Sequence, residues 1–286
     1  SVLTATAGKG VQKPSGTNNV SFGPAVPQSL LDHGRDLCLV RGMSMDTLTH
    51  DVGRRYLLTG KFPRGLQASG SSLNTVWAGQ VQGASDLDVP NLAIDVESYN
   101  ESYPSFASAT NVGSQTDLLN VLQNQTPTLT AGTDGALQRW EATEDSCGAH
   151  GFDASGLVGA FRSSRTRARQ MTGSTKATLF RFNTGTGAPF DALFSALGVT
   201  NPATFNFDSP IGNAAIAGMA LTQGISQAVS VTLGSDLDDH FDEAGSQSVN
   251  LRAGFDALGR LIAYLKGQTV PGTTKSFWDC TTLLTF

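Results

Sequence analysis

The sequence predicts an α/β fold: a doubly wound, mostly parallel sheet with helices on both faces, incomplete at both ends. Three observations carry this. Four short runs rich in aliphatic and β-branched residues, LCLVRGM, NLAIDVES, AVSVTLG and CTTLLTF, stand apart along the chain. The stretches between them are helix-like, and that alternation is what a parallel sheet with helical crossovers requires. The length, 286 residues, suffices for one large domain with a substantial core.

Taken in order, residues 1–26 read as an extended N-terminal segment and residues 27–286 as a single domain. A short helix at 27–33 precedes the first strand, 37–43, and a helix at 51–59 follows it, opened by the cap candidates Thr49 and Asp51. A helix at 72–83 leads to the second strand, 91–98. Residues 113–226 read as a mainly helical insertion, with helices at 117–123, 134–143, 155–172, 190–197 and 210–223. The third strand is 228–234. The clearest helix, 247–266, places Leu251, Phe255, Leu258, Ile262 and Leu265 at spacings of four and three, a single buried stripe, and stops at Gly267 ahead of Pro271. The last strand is 280–286. It ends without the loop that normally follows a buried parallel strand, and Ser1 is not an initiator Met, so a chain cut at both ends is expected.

Charged residues are only 15% of the chain, against roughly a quarter in typical soluble proteins. Together with 32 glycines and a net charge of -5, this argues against a nucleic-acid partner, and no apolar run reaches the ~18 residues needed to span a bilayer. No nucleotide cofactor is expected. The basic cluster RSSRTRAR puts Arg162, Arg165 and Arg169 on one helical face, either an anion-binding strip or, more commonly, a solvated face. Cys38, Cys147 and Cys280 show no CxxC spacing. Cys38 and Cys280 read as small buried hydrophobes, and Cys147 leaves a disulfide to either of them open.

Two stretches could carry chemistry. In THDVGRRYLLTG a strand hands over to a helix whose first-turn N–H groups suit an oxyanion, with Arg54 and Arg55 one turn in. The bland alternative is an ordinary cap with solvent-facing arginines. In GSDLDDHFDEAG, after the third strand, Asp238 and His240 form an Asp-x-His pair suited to zinc, manganese or calcium. Its alternative is an acidic loop favouring the dipole of the next helix. His33 is accounted for as a cation at a helix end.

These residues, with SSLNTVWAGQVQGASDLDVPNLAIDVESY, LDDHFDEAGSQSVNLRAGFDALGRLIAYLK and WDCTTLLTF, resemble a bacterial sulfatase-like family of unknown function in the alkaline phosphatase superfamily, often exported by the twin-arginine route. The resemblance covers most of the chain and is weakest in its helical middle. It implies a two-metal hydrolase site for phosphate or sulfate esters and a periplasmic or extracellular setting. Asp238 and His240 fall at the family's WDTH position, with Leu237 for Trp and Asp239 for Thr. Where the family opens its helix with Ser, Thr or a modified Cys, ten residues before the Gly of a TG pair, this chain has His50, with Thr49 one residue off register. His50 is then a metal ligand or phosphate-accepting group, or the nucleophile is lost. The family's first-strand Asp and its SEFGRTP-type loop are not in the chain, so little activity is expected of it alone. The expected enzyme is a metal-dependent ester hydrolase using His50 and Arg54. The alternative is a non-catalytic extracellular or cell-envelope binding or assembly module, its sheet completed by a protein partner or a continuation of the chain.

Overall fold

The computed structural model describes residues 22–38, 45–81, 83–123, 129–146, 157–173, 175–237 and 246–283. Its centre is a small parallel sheet of β1 (Asn91–Ile94), β2 (Thr110–Val112) and β3 (Ala228–Val231), in the spatial order β2-β1-β3. Leu92 lies beside Thr110 on one side and Val229 on the other, and Ile94 beside Val112 and Val231, so the three strands finish level. All four β1 residues are buried, as expected for a central strand with both faces covered.

The helices are α1 (Gln28–Leu31), α2 (His50–Thr59), α3 (Leu73–Gln80), α4 (Gln115–Leu122), α5 (Ala131–Ser146), α6 (Leu157–Gly173), α7 (Phe190–Leu197), α8 (Pro210–Thr222) and α9 (Ser248–Lys266). Strand periodicity divides the sheet's neighbours between them. Leu92, Ile94, Val229 and Val231 join the main core with Leu118 of α4, Leu193 of α7 and Ile216 of α8. On the opposite face Asn91 hydrogen-bonds Thr75 of α3 at 3.2 Å, and Ser230 accepts from Asn74 of α3 at 2.7 Å. This second face mixes these polar contacts with a small alanine cluster, Ala78, Ala107 and Ala228, where the first is aliphatic. The main core also holds an aromatic group in which Phe182 meets Phe207 at 5.0 Å and Phe180 at 6.2 Å between ring centroids.

Local chemistry explains the helix ends. Ser114 caps α4 by accepting from the Asp117 N–H at 3.1 Å, and Ser209 caps α8 by accepting from the Gly212 N–H at 3.2 Å, with Pro210 in the first turn. Helix α8 is alanine- and glycine-rich because it is packed closely: at Gly218 an added Cβ would lie 3.0 Å from the Tyr264 ring of α9. Helix α9 is buried on more than the single stripe that its leucines suggest. Leu258 and Ile262 close a small cluster with Val26, Leu30 and Leu31, while Ala257, Leu261, Tyr264 and Leu265 face the main core. A helix wedged between two clusters carries apolar residues on both sides.

Several expectations need correction. Residues 278–280 form a single 3₁₀ turn and 281–283 are irregular, so the described part of the expected last strand is not a strand. Cys280 and Cys38 are exposed free thiols, not buried hydrophobes. Leu37 and Cys38 lie outside regular structure, and most of the expected first strand falls outside the described residues. Strand β2 was not foreseen: its three residues are too few to show a period. His33 is not a stabilising cation at a helix end. Burial and the neighbouring Lys266 ammonium, 3.4 Å from Nδ1, push its pKa down, and its Nε2 lies 3.1 Å from the Gly259 carbonyl oxygen.

Among the described residues, then, the architecture is α/β: a three-stranded parallel sheet with many helices around it. No described helix is long and apolar enough to cross a membrane.

A cleft at the carboxyl edge of the sheet

Because the strands are parallel and end level, the residues that follow them meet at one edge. Asp95, directly after β1, joins all three strand ends. Its N–H donates to the Val112 carbonyl of β2 at 2.8 Å, and its carbonyl accepts from the Thr232 hydroxyl, just past β3, at 2.6 Å. The Thr232 N–H in turn donates to Ile94 at 3.1 Å. To make these bonds Asp95 adopts a left-handed φ of 54°, a conformation that L residues other than Asn and Asp rarely accept. Its carboxylate is left exposed at the edge.

The chain after Asp95 is pinned a second time. Ser72, at the start of α3, accepts from the Tyr99 N–H at 3.0 Å and donates its own N–H to the Tyr99 carbonyl at 2.9 Å. Ser71 accepts from the Glu101 N–H at 2.9 Å. Thr75 and Ser98 hydroxyls meet at 3.3 Å. Between these anchors the loop borders a cleft of about 720 Å³, lined by Arg54, Asp95, Glu97, Tyr99, Asn111 and Thr232 among others. In open α/β sheets ligands bind outside the carboxyl ends of strands where the strand order reverses. The order β2-β1-β3 places such a reversal at β1.

Helix α2 brings two arginines to this edge. Consecutive helix positions point about 100° apart, and the two differ accordingly. Arg54 is 52% exposed at its side chain and pairs with Glu97 at 2.9 Å and Asp51 at 3.2 Å. Arg55, 19% exposed, lies 3.6 Å from the other Glu97 oxygen, bonds the Tyr99 hydroxyl at 3.2 Å and donates to the Leu66 carbonyl. Tyr99 donates its hydroxyl to Glu97. Burial alone would raise the Glu97 pKa, but the Tyr99 hydroxyl and both guanidinium groups outweigh it and hold the carboxyl below its usual range. Burial and the bond to Glu97 push the Tyr99 phenol up.

The sequence-predicted residues fare differently. Arg54 lines the cleft. His50 opens α2 but is exposed and does not line the cleft, and Thr49 is the N-cap residue without a side-chain cap bond. Asp51 is in the first turn, held by Arg54, rather than at the cap. Asp238 and His240 lie outside the described residues, though β3, which leads towards them, ends at the same edge. Among the described residues no three His, Cys, Asp or Glu side chains are grouped to hold a metal ion. The arginines of RSSRTRAR are not simply a solvated face: Arg169 and Arg165 of α6 reach the buried Glu141 of α5 at 2.5 and 3.6 Å.

Asp95, Glu97, Tyr99 and Thr232 were missed as site residues. Residues 91–98 read as one strand, which puts Asp95 and Glu97 within it. The strand stops at Ile94, and the acidic positions belong to the loop beyond. Strand brevity was the available signal, since DVES abandons the aliphatic run of NLAI. Comparison with known proteins returns no matching family model, no matching curated protein and no matching solved structure.

Proposed function

We propose that the chain is an exported, sulfatase/alkaline phosphatase-like domain of the doubly wound type, and that its carboxyl-edge cleft receives a phosphate or sulfate ester. The observation that supports this most is the position of Arg54, a guanidinium on the second turn of a helix, in a cleft bounded by the ends of three parallel strands. A planar fork of donors there suits a tetrahedral oxyanion. His50, at the start of the same helix, is proposed to act near the reacting atom. Asp238 and His240 are proposed to hold a divalent cation, zinc, manganese or calcium, which when bound polarises an ester oxygen. The low charge and hydroxyl-rich composition accord with a periplasmic or extracellular setting.

A second reading, a non-catalytic binding module on the same fold, is favoured by one observation. Arg54 is already engaged by two carboxylates, and His50 does not line the cleft. Turnover of aryl phosphate and aryl sulfate esters, with each cation added in turn, separates the two. Turnover lost in His50→Ala and Arg54→Ala variants establishes the hydrolase; anion binding without turnover establishes the module.

A further inference from the structure

Resting on the assignment of the cleft as an oxyanion-ester site, we infer that Arg54, Arg55 and Tyr99 form its oxyanion receptor, and that the Glu97 side chain occupies that receptor when no ligand is bound. Three donors from two separate segments converge on one carboxylate. Arg54 Nη2 lies 2.9 Å from Oε1, Arg55 Nε lies 3.6 Å from Oε2, and the Tyr99 hydroxyl also donates to Oε2. A simple exposed ion pair needs only one partner and contributes little. Here two of the three donors are also held by groups other than the carboxylate. Arg55 is anchored to the Leu66 carbonyl and to Tyr99, and Tyr99 is fixed through its backbone to Ser72.

Glu97 differs from its partners in this respect. Its loop is tied at Asp95 on one side and Tyr99 on the other, so its carboxylate can rotate away without disturbing the strand ends. Arg54 and Tyr99 both line the cleft, so the space beside the carboxylate is where an incoming group would lie. A phosphate or sulfate presents the same pair of oxygens as a carboxylate, with further oxygens left to accept bonds from neighbouring donors. Arg55 acts as a positioning residue, aligning Tyr99 and adding charge. An anion must displace Glu97 and work against its charge and those of Asp51 and Asp95, which sets a threshold for binding.

The test is calorimetric titration of the full chain with sodium sulfate and with inorganic phosphate, at constant ionic strength and without added metal. Glu97→Gln keeps a partner for Tyr99 while removing the competing charge. It should bind sulfate roughly ten-fold more tightly than the parent chain, the scale expected for one competing charge near a protein surface. Adding Arg54→Ala or Tyr99→Phe should reverse the gain. Glu97→Ala, which removes the occupant altogether, should behave as Glu97→Gln does and carries the test should either variant fail to fold. Binding no tighter than the parent's, or a gain that survives Arg54→Ala, would overturn the inference. The readout needs neither a metal nor an ester, so a chain that hydrolyses nothing can still give the expected result. A hydrolase whose anion affinity ignores Glu97 would overturn this inference and leave the proposed function standing.

Discussion

At the scale of single residues, the edge of the sheet depends on Asp95. Its left-handed backbone supplies an N–H to β2 and a carbonyl to Thr232, and it presents a carboxylate to the cleft. These are separable. Glycine can adopt a φ of 54° without steric cost, whereas alanine pays about 1 kcal/mol in the left-handed region. Asp95→Ala is therefore expected to be less stable than Asp95→Gly by about that amount, read from urea midpoints at a common m-value. Equal midpoints would mean that the strand ends do not require this backbone. The sequence marks the end of the aliphatic run NLAI at Asp95, but it does not show the bonds that the residue makes there. Its role depends on Val112 and Thr232, which are distant in sequence.

At the scale of elements, α9 shows how far periodicity carries. Its length and its Leu258–Ile262 spacing are legible because a buried stripe repeats at helical intervals. The close approach of α1 on that side is less legible, because it uses a residue without hydrophobic signal. That residue is Gly259: an added Cβ would lie 2.5 Å from the backbone of Ser29, in α1. Gly259→Ala should destabilise the chain by about 1–3 kcal/mol through overpacking. An unchanged melting temperature would contradict the close approach of α1 to α9. The same junction makes a pH prediction through His33. Burial and Lys266 lower its pKa in the folded chain, so the unfolded chain takes up the proton first. The contribution is full above about 6.5, the ordinary histidine value, and is lost as pH falls through the lower folded value. Stability measured by urea unfolding from pH 8 to pH 5 should therefore fall on acidification, and His33→Gln should flatten part of that fall. Parallel pH profiles for the two proteins would exclude His33 as a contributor.

At the scale of the whole molecule, the alternation of strand and helix was enough to indicate α/β architecture, while the sheet's extent was not. NLAI and AVSV stand out as strands because aliphatic and β-branched residues pack a central sheet. TNV, which completes it, does not, and CTTLLTF has strand composition but begins in a 3₁₀ turn followed by irregular chain. Of the candidate site, Arg54 was legible from its place just after a helix start. Glu97 and Tyr99 acquire meaning only once the loop folds back onto α2. The central claim is that the carboxyl-edge cleft is an oxyanion site. Crystals of the chain soaked in tungstate, a tetrahedral stand-in for phosphate and sulfate, test it most directly, since tungsten is located by anomalous scattering without reference to activity. The expected result is one strong peak beyond the ends of β1 and β3, placed so that the oxygens around the tungsten lie within hydrogen-bond distance, about 3 Å, of Arg54. Tungsten bound elsewhere with the cleft left empty would contradict it.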